Sequence, residues 1–187
     1  MRHHPCVSDF TALLLGIIAL VIAQGEGRAG SSEAMSHFQR GVELHKHHDL
    51  DGAIAEYRTS LRLDPESVNT HNNLAVALKA KGNLEEAVNE YRAALRLQPD
   101  SVVAHLNLAH ALVDKGAVDE GISEYRNILR LDPKNLDAHY EIAALLKFVG
   151  NKAESKKEFN EVLRLVPDVP ENREIIEEVK QHLRQLE

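Results

Sequence analysis

Cysteine is almost missing from this chain of 187 residues: Cys6 stands alone, which excludes an intrachain disulfide and a multi-cysteine metal site. Tryptophan is absent and aromatic residues make up only 4%, so the apolar 43% rests mainly on Leu, Ala, Val and Ile. Such side chains suit closely packed helices more than sheets. A basic excess is also lacking. Lys and Arg number 22 against 29 Asp and Glu, a formal charge of −7, and the mean surface potential therefore repels phosphate and anionic lipid. Nucleic acid is excluded as the expected partner. With 27% charged residues the composition is that of an ordinary soluble fold, not of a disordered chain.

Long apolar runs are equally scarce, and the one present lies at the start. Met1 and Arg2 give positive charge, Phe10 to Ala23 is a run of 14 residues interrupted only by Thr11, and Val21-Ile22-Ala23 offers a cleavage site. As a helix it reaches only about 21 Å against a hydrocarbon core of roughly 30 Å. Residues 1–23 therefore read as an export signal, removed or retained as an anchor. Both readings place the rest of the chain outside the cytoplasm, whether periplasmic, secreted or membrane-anchored, and allow membrane contact only through an uncleaved N-terminus. Residues 24–33, rich in Gly and Ser, read as a flexible leader.

From there the sequence repeats. Pro65, Pro99, Pro133 and Pro167 are each 34 residues apart, which divides the chain into 34–67, 68–101, 102–135 and 136–169 without insertion or deletion. Tyr57, Tyr91, Tyr125 and Phe159 stand at the twenty-fourth place of each. Small residues keep the register too: Gly41, Ala75, Ala109 and Ala143 at the eighth place, and Ala53, Ala87, Gly121 and Ser155 at the twentieth.

Each repeat reads as a helical hairpin. Ser67, Ser101 and Asn135 are placed to cap a first helix, and Asp49, Asn83 and Asn151 a second. Asn83 with Glu86, and Asn151 with Glu154, have the spacing of a capping box. Gly82, Gly116 and Gly150 precede the second helix, where a left-handed residue ends the first. His48 holds that place in the first repeat, and a Cβ there adds strain of order 1 kcal/mol. The small residues let paired helices approach closely, and an isolated hairpin buries too little apolar surface to stand alone, so neighbours must stack. Beyond Pro170, Ile175, Ile176, Val179, Leu183 and Leu186 form an apolar stripe at helical spacing, which predicts a capping helix over 170–187.

Small residues at places eight and twenty, an aromatic at place 24 and proline at place 32, all at period 34, make this region resemble the tetratricopeptide repeats. The resemblance covers 136 of the 187 residues. It departs at place 27, where Ile128 and Val162 replace a small residue, and at place four, where His replaces Trp. It implies an all-α fold, a right-handed α-solenoid of four repeats plus the capping helix. It also implies a non-catalytic scaffold that binds a protein or an extended peptide or helix in a concave groove lined by first helices, at places 2, 5, 6, 9, 12 and 13. Candidate groove residues are Gln39, Asn69, Asn72, Asn73, Lys79, Asn107, His110, Tyr140 and Glu141. Asn73 and Asn107, at one shared place, offer donors and acceptors to a peptide backbone, similar to the asparagine ladder of O-linked N-acetylglucosamine transferases. The structural alternative is that these amides satisfy neighbouring helix ends or face water. Helix-lined clamps that hold chaperone C-terminal carboxylates carry Lys or Arg at the fifth, second and sixth places of successive repeats. Phe38, Val103 and Asn107 stand there, or Asn72, Asp137 and Glu141 one repeat later, and the acidic pair repels a carboxylate.

His37, His71, His105 and His139 all fall at place four. Equivalent helices lie about 10 Å apart, too far for two nitrogens to share one zinc, so these histidines read as filling the tryptophan position between hairpins. His45, His47 and His48 read as a solvated helix end. No metal or cofactor site is expected. No phosphate-cradling glycine loop, nucleophile elbow or metalloprotease helix motif is present, which argues against an enzyme. The alternative to a peptide-binding scaffold is a self-assembling structural module whose groove stays empty.

Overall fold

A computed structural model describes residues 31–187. The expected export signal and most of the leader fall outside the described residues, within which no helix is long and apolar enough to cross a membrane. Secondary structure among them is helical throughout, without strands. The chain divides into two compact units, one ending at Thr70 and one running from His71 to Glu187.

The first unit holds α1 (helical over 31–46), α2 (Leu50–Leu63) and the start of α3 (Val68–Ala80). Gly41 lets α1 lie against Tyr57 of α2, because a Cβ at Gly41 would stand 2.6 Å from Tyr57 Cε1. Phe38 adds its ring to Tyr57 at 6.0 Å, and Ser60 Oγ donates to Ala34 O at 2.8 Å. Ser60 is thus a satisfied polar group in a buried position.

The second unit continues with α4 (Leu84–Leu97), α5 (Val102–Asp114), α6 (Val118–Leu131), α7 (Leu136–Phe148) and α8 (Lys152–Leu165). A short 3₁₀ turn, Pro170–Asn172, leads into α9 (Arg173–Gln185). Successive helices stack as pairs, each packing on the next. Ala109, Ile122, Tyr125, Ile128, Ala138, Ile142 and Leu146 make one core across α5, α6 and α7. Ala143, Phe159, Val162, Val179 and Leu186 make a second one beneath α9. Ile128 and Val162, the two departures from the small-residue pattern, are buried in these two cores. At Gly121 a Cβ would meet Val113 Cγ2 at 2.7 Å, so α5 and α6 are in close contact at that point. Ser155 stands at the same place in the last hairpin and is satisfied there by donating to Ala143 O at 2.7 Å.

Most of the expected caps form. Ala104 N donates to Ser101 Oγ, Ala138 N to Asn135 Oδ1, Gly52 N to Asp49 Oδ1 and Glu154 N to Asn151 Oδ1. Asn83 corrects the expectation: it occupies the N-cap of α4, yet its side chain makes no capping bond. Ala117 takes the corresponding place before α6, so the helix start tolerates a missing side-chain cap. The close of the first helix is more regular. Gly82, Gly116 and Gly150 adopt φ of 86°, 86° and 84°. In each case the next residue donates back to the carbonyl five residues before it, as Asn83 N does to Leu78 O, Ala117 N to Leu112 O and Asn151 N to Leu146 O.

His48 adopts φ 61° and keeps the same pair of bonds, with His48 N to His45 O at 3.0 Å and Asp49 N to Leu44 O at 2.9 Å. A left-handed residue with a Cβ costs about 1–2 kcal/mol. Glycine relieves that cost but gives back roughly 0.5–1 kcal/mol through greater freedom of the unfolded chain. His48→Gly is therefore expected to stabilise the protein by about 0.5–1 kcal/mol. Urea unfolding of the two proteins checks this, and an unchanged or lower midpoint would refute the strain.

Candidate functional site

The first helices of the second unit present their candidate residues at helical spacing. On α5, Val103, Asn107, His110 and Asp114 are separated by four, three and four residues and share one face. Val103 is 65% exposed, while Asn107 and His110 are half-buried. His110 meets Tyr125 edge-on, ring centres 6.1 Å apart. The Asn107 side chain makes no hydrogen bond among the described residues, and Asn73 is half-buried on α3. Asn72 Oδ1 is shielded from solvent without a partner among the described residues. A buried acceptor left unmatched costs about 1–3 kcal/mol.

Other candidates have partners inside the fold. Lys79 Nζ pairs with Asp114 Oδ2 at 3.0 Å, tying α3 to α5. Tyr140 donates its hydroxyl to Glu178 Oε1 at 2.5 Å and packs edge-on against Phe159. Burial pushes the Tyr140 hydroxyl up to about 12, helped by its bond to Glu178 and by the charges of Glu178 and Glu141. Burial also raises the Tyr125 hydroxyl, with Glu141 and Asp114 adding to the shift. Glu141 and Asp114 thus act on the same buried ring. Gln39 and Asn69 are exposed and belong to the first unit, apart from this set.

An acidic cluster that the register of 34 does not reveal lies beside the first-helix face. The start of α9 brings Glu171, Glu174 and Glu178 to the same cleft as Asp137 and Tyr140 of α7. Helix α9 lies outside the repeats, so its side chains were not counted among those of the first helices. The signal was present as four Glu residues between 171 and 178.

The histidines at place four do more than fill the position of a tryptophan. His37, His71, His105 and His139 each bring Nδ1 to Oε2 of a glutamate 19 residues on, Glu56, Glu90, Glu124 and Glu158, at 2.6, 2.6, 2.6 and 2.7 Å. Each pair joins the first helix of a hairpin to its second. These carboxylates are only 14–27% exposed, so they are not the freely solvated charges that surface glutamates usually are. In the first hairpin the bond from His37 holds the Glu56 carboxyl below its usual range; partial burial opposes the shift and Arg40 adds to it. In the third and fourth, Nε2 faces a carbonyl as well: Pro99 O at 3.0 Å from His105 and Pro133 O at 3.2 Å from His139. A carbonyl only accepts, so a ring hydrogen on Nε2 is what suits this second contact. Glutamate at place 23 recurs with period 34, and pairing it with place four was open to sequence reasoning.

His45, His47 and His48 gather no site. His47 Nε2 lies 3.1 Å from Glu43 Oε1 at an exposed helix end. Among the described residues no group of three or more His, Cys, Asp or Glu is placed to hold a metal ion.

Family models described as TPR repeat match residues 41–82 and 77–116, and one described as Tetratricopeptide repeat matches 106–170. The chain belongs to the tetratricopeptide-repeat family. Solved structures agree on the fold. A crystal structure of MamA has 17% identity and a TM-score of 0.67 over 87% of this chain and 96% of that one. MamA 41-end from Desulfovibrio magneticus RS-1 has 18% identity and a TM-score of 0.64, over 71% and 75%. The first TPR of Spaghetti (RPAP3) bound to HSP90 peptide SRMEEVD has 22% identity and a TM-score of 0.57, over 64% and 97%. No curated protein matches the chain at a significant level.

Proposed function

We propose that this tetratricopeptide-repeat chain is a non-catalytic adaptor working outside the cytoplasm, where it docks an extended peptide or a helix of another protein on its first-helix face. The observation that carries this reading is the row of amides at places five and six of the second unit, Asn72, Asn73 and Asn107, all partly buried, with the Asn107 side chain unbonded among the described residues. Amides of this kind serve a peptide backbone, which offers both donors and acceptors at each residue. Family membership supports an interaction role, and the Spaghetti relative carries a peptide. A peptide held by its C-terminal carboxylate is not the ligand expected here, because Asn72, Asp137 and Glu141 stand where a clamp for it needs cations. The export reading rests on Met1 to Ala23 alone.

Crosslinking in the native envelope, with the Asn73→Ala/Asn107→Ala protein alongside the wild type, tests the reading. The attached protein is expected to fall at least tenfold in the variant while the melting temperature stays put; undiminished attachment removes these amides from the mechanism. A second reading, assembly with copies of itself, is favoured by Phe148 and Val149, 80% and 47% exposed at the turn between α7 and α8. Sedimentation separates the two: concentration-dependent oligomers without a partner support assembly.

A further inference from the structure

The cleft between α7 and α9 has a volume of about 380 Å³ and a divided chemistry. Leu136, Tyr140 and Ile175 supply its apolar part. Asp137, Glu171, Glu174 and Glu178 supply carboxylates. Glu178 accepts from Tyr140 and lies 3.8 Å from His182 Nε2, whereas Asp137, Glu171 and Glu174 make no hydrogen bond or ion pair among the described residues. Their place in first helical turns accounts for each one singly, since the helix start favours an acid. It does not neutralise them together. Two helix starts bring roughly +0.5 each, about +1 in all against four negative charges.

We propose that this cleft is a docking site for a protein segment in which Lys or Arg alternates with aliphatic residues. This deepens the adaptor reading and rests on it, since Asp137 and Tyr140 stand at places two and five of the first-helix face. Charge complementarity and the apolar lining select the occupant. A long basic side chain lays its aliphatic stem over Leu136 and Ile175 while its head reaches the carboxylates. An arginine also meets the face of Tyr140. A divalent cation fits poorly, because these carboxylates are not gathered into a metal site. Anionic lipid and nucleic acid are repelled.

Fluorescence anisotropy of the full chain with labelled acetyl-LRLRLR-amide, and with acetyl-LELELE-amide as control, tests the proposal, together with methyl NMR of Leu136 and Ile175. The basic peptide is expected to bind, to shift both methyl signals, and to weaken at least tenfold in Asp137→Asn/Glu174→Gln with helix content and melting temperature unchanged. Affinity should fall steeply with salt, because the cleft carboxylates are partly exposed. The acidic peptide should not bind. Equal binding of both peptides, absence of binding by the basic one, or affinity indifferent to the Asp137/Glu174 pair overturns the proposal. The Asn73→Ala/Asn107→Ala protein separates the two readings. If the peptide depends on the amides but not on Asp137 and Glu174, the groove stands and the cleft falls; the reverse pattern keeps the cleft and removes the amides.

Discussion

Phe159→Ala is expected to lower the free energy of unfolding by about 3–5 kcal/mol, the usual cost of truncating a buried aromatic. Phe159 is fully buried in the core that α9 covers, with Ala143, Val162, Val179 and Leu186 around it. It stacks on His182 of α9 with ring centres 4.9 Å apart and planes 5° from parallel, and meets Tyr140 edge-on at 5.8 Å. Truncation therefore opens a cavity and removes the largest side chain of the surface on which α9 rests. The polar contacts that remain, Lys147 to His182 at 2.8 Å, Lys147 to Gln185 and Tyr140 to Glu178, are partly exposed and each contributes about 1 kcal/mol or less. Helix α9 should then open before the rest of the second unit. Urea unfolding gives the loss, and hydrogen exchange over Arg173–Gln185 reports the opening. Phe159→Leu, which keeps most of the volume, should cost only about 1–2 kcal/mol and leave α9 protected. If both variants lose the same stability, or if α9 exchanges no faster in Phe159→Ala, the ring does not anchor the cap.

What could be read without coordinates was what repeats locally. The turn at Gly82, Gly116 and Gly150 requires a positive φ, and only a residue that tolerates it recurs there; His48 stood out as the exception and adopts the same conformation. Ser101 and Asn135 act over three residues, and their caps formed as expected. Asn83 shows the limit of such reasoning, because an N-cap side chain is free to turn elsewhere without ending the helix. The contacts least visible in advance join residues whose meeting depends on how helices pack. His105 and Glu124 are 19 residues apart on different helices, and only the hairpin brings them to 2.6 Å. The acidic cleft had a different obstacle. Asp137 belongs to a repeat and Glu171, Glu174 and Glu178 do not, so a register of 34 never aligned them.

The His–Glu pairs and the Arg–Glu pairs recur with the same period, but they should differ in energy. Arg92 meets Glu120 at 2.6 Å, and Arg126 meets Glu154 one repeat later. Their side chains are 38–57% exposed, which limits each pair to about 0–1 kcal/mol. His105 is 8% and Glu124 20% exposed by side chain, and the ring also bonds to Pro99 O. Water is a poor substitute for either partner there. A cycle of His105→Ala, Glu124→Ala and the double variant is expected to give a coupling of about 1.5–3 kcal/mol in urea unfolding. Asn127, whose Nδ2 lies 3.2 Å from the same Glu124 oxygen, offers a replacement donor and draws the value toward the lower end. The parallel cycle on Arg92 and Glu120 should give under about 1 kcal/mol and shrink in 1 M salt, while the His105 value changes little. A His105 coupling below about 0.5 kcal/mol would make the short contact a consequence of hairpin packing. A coupling in the expected range makes it a cause, with the proline of one repeat and the glutamate of the next both held by one imidazole.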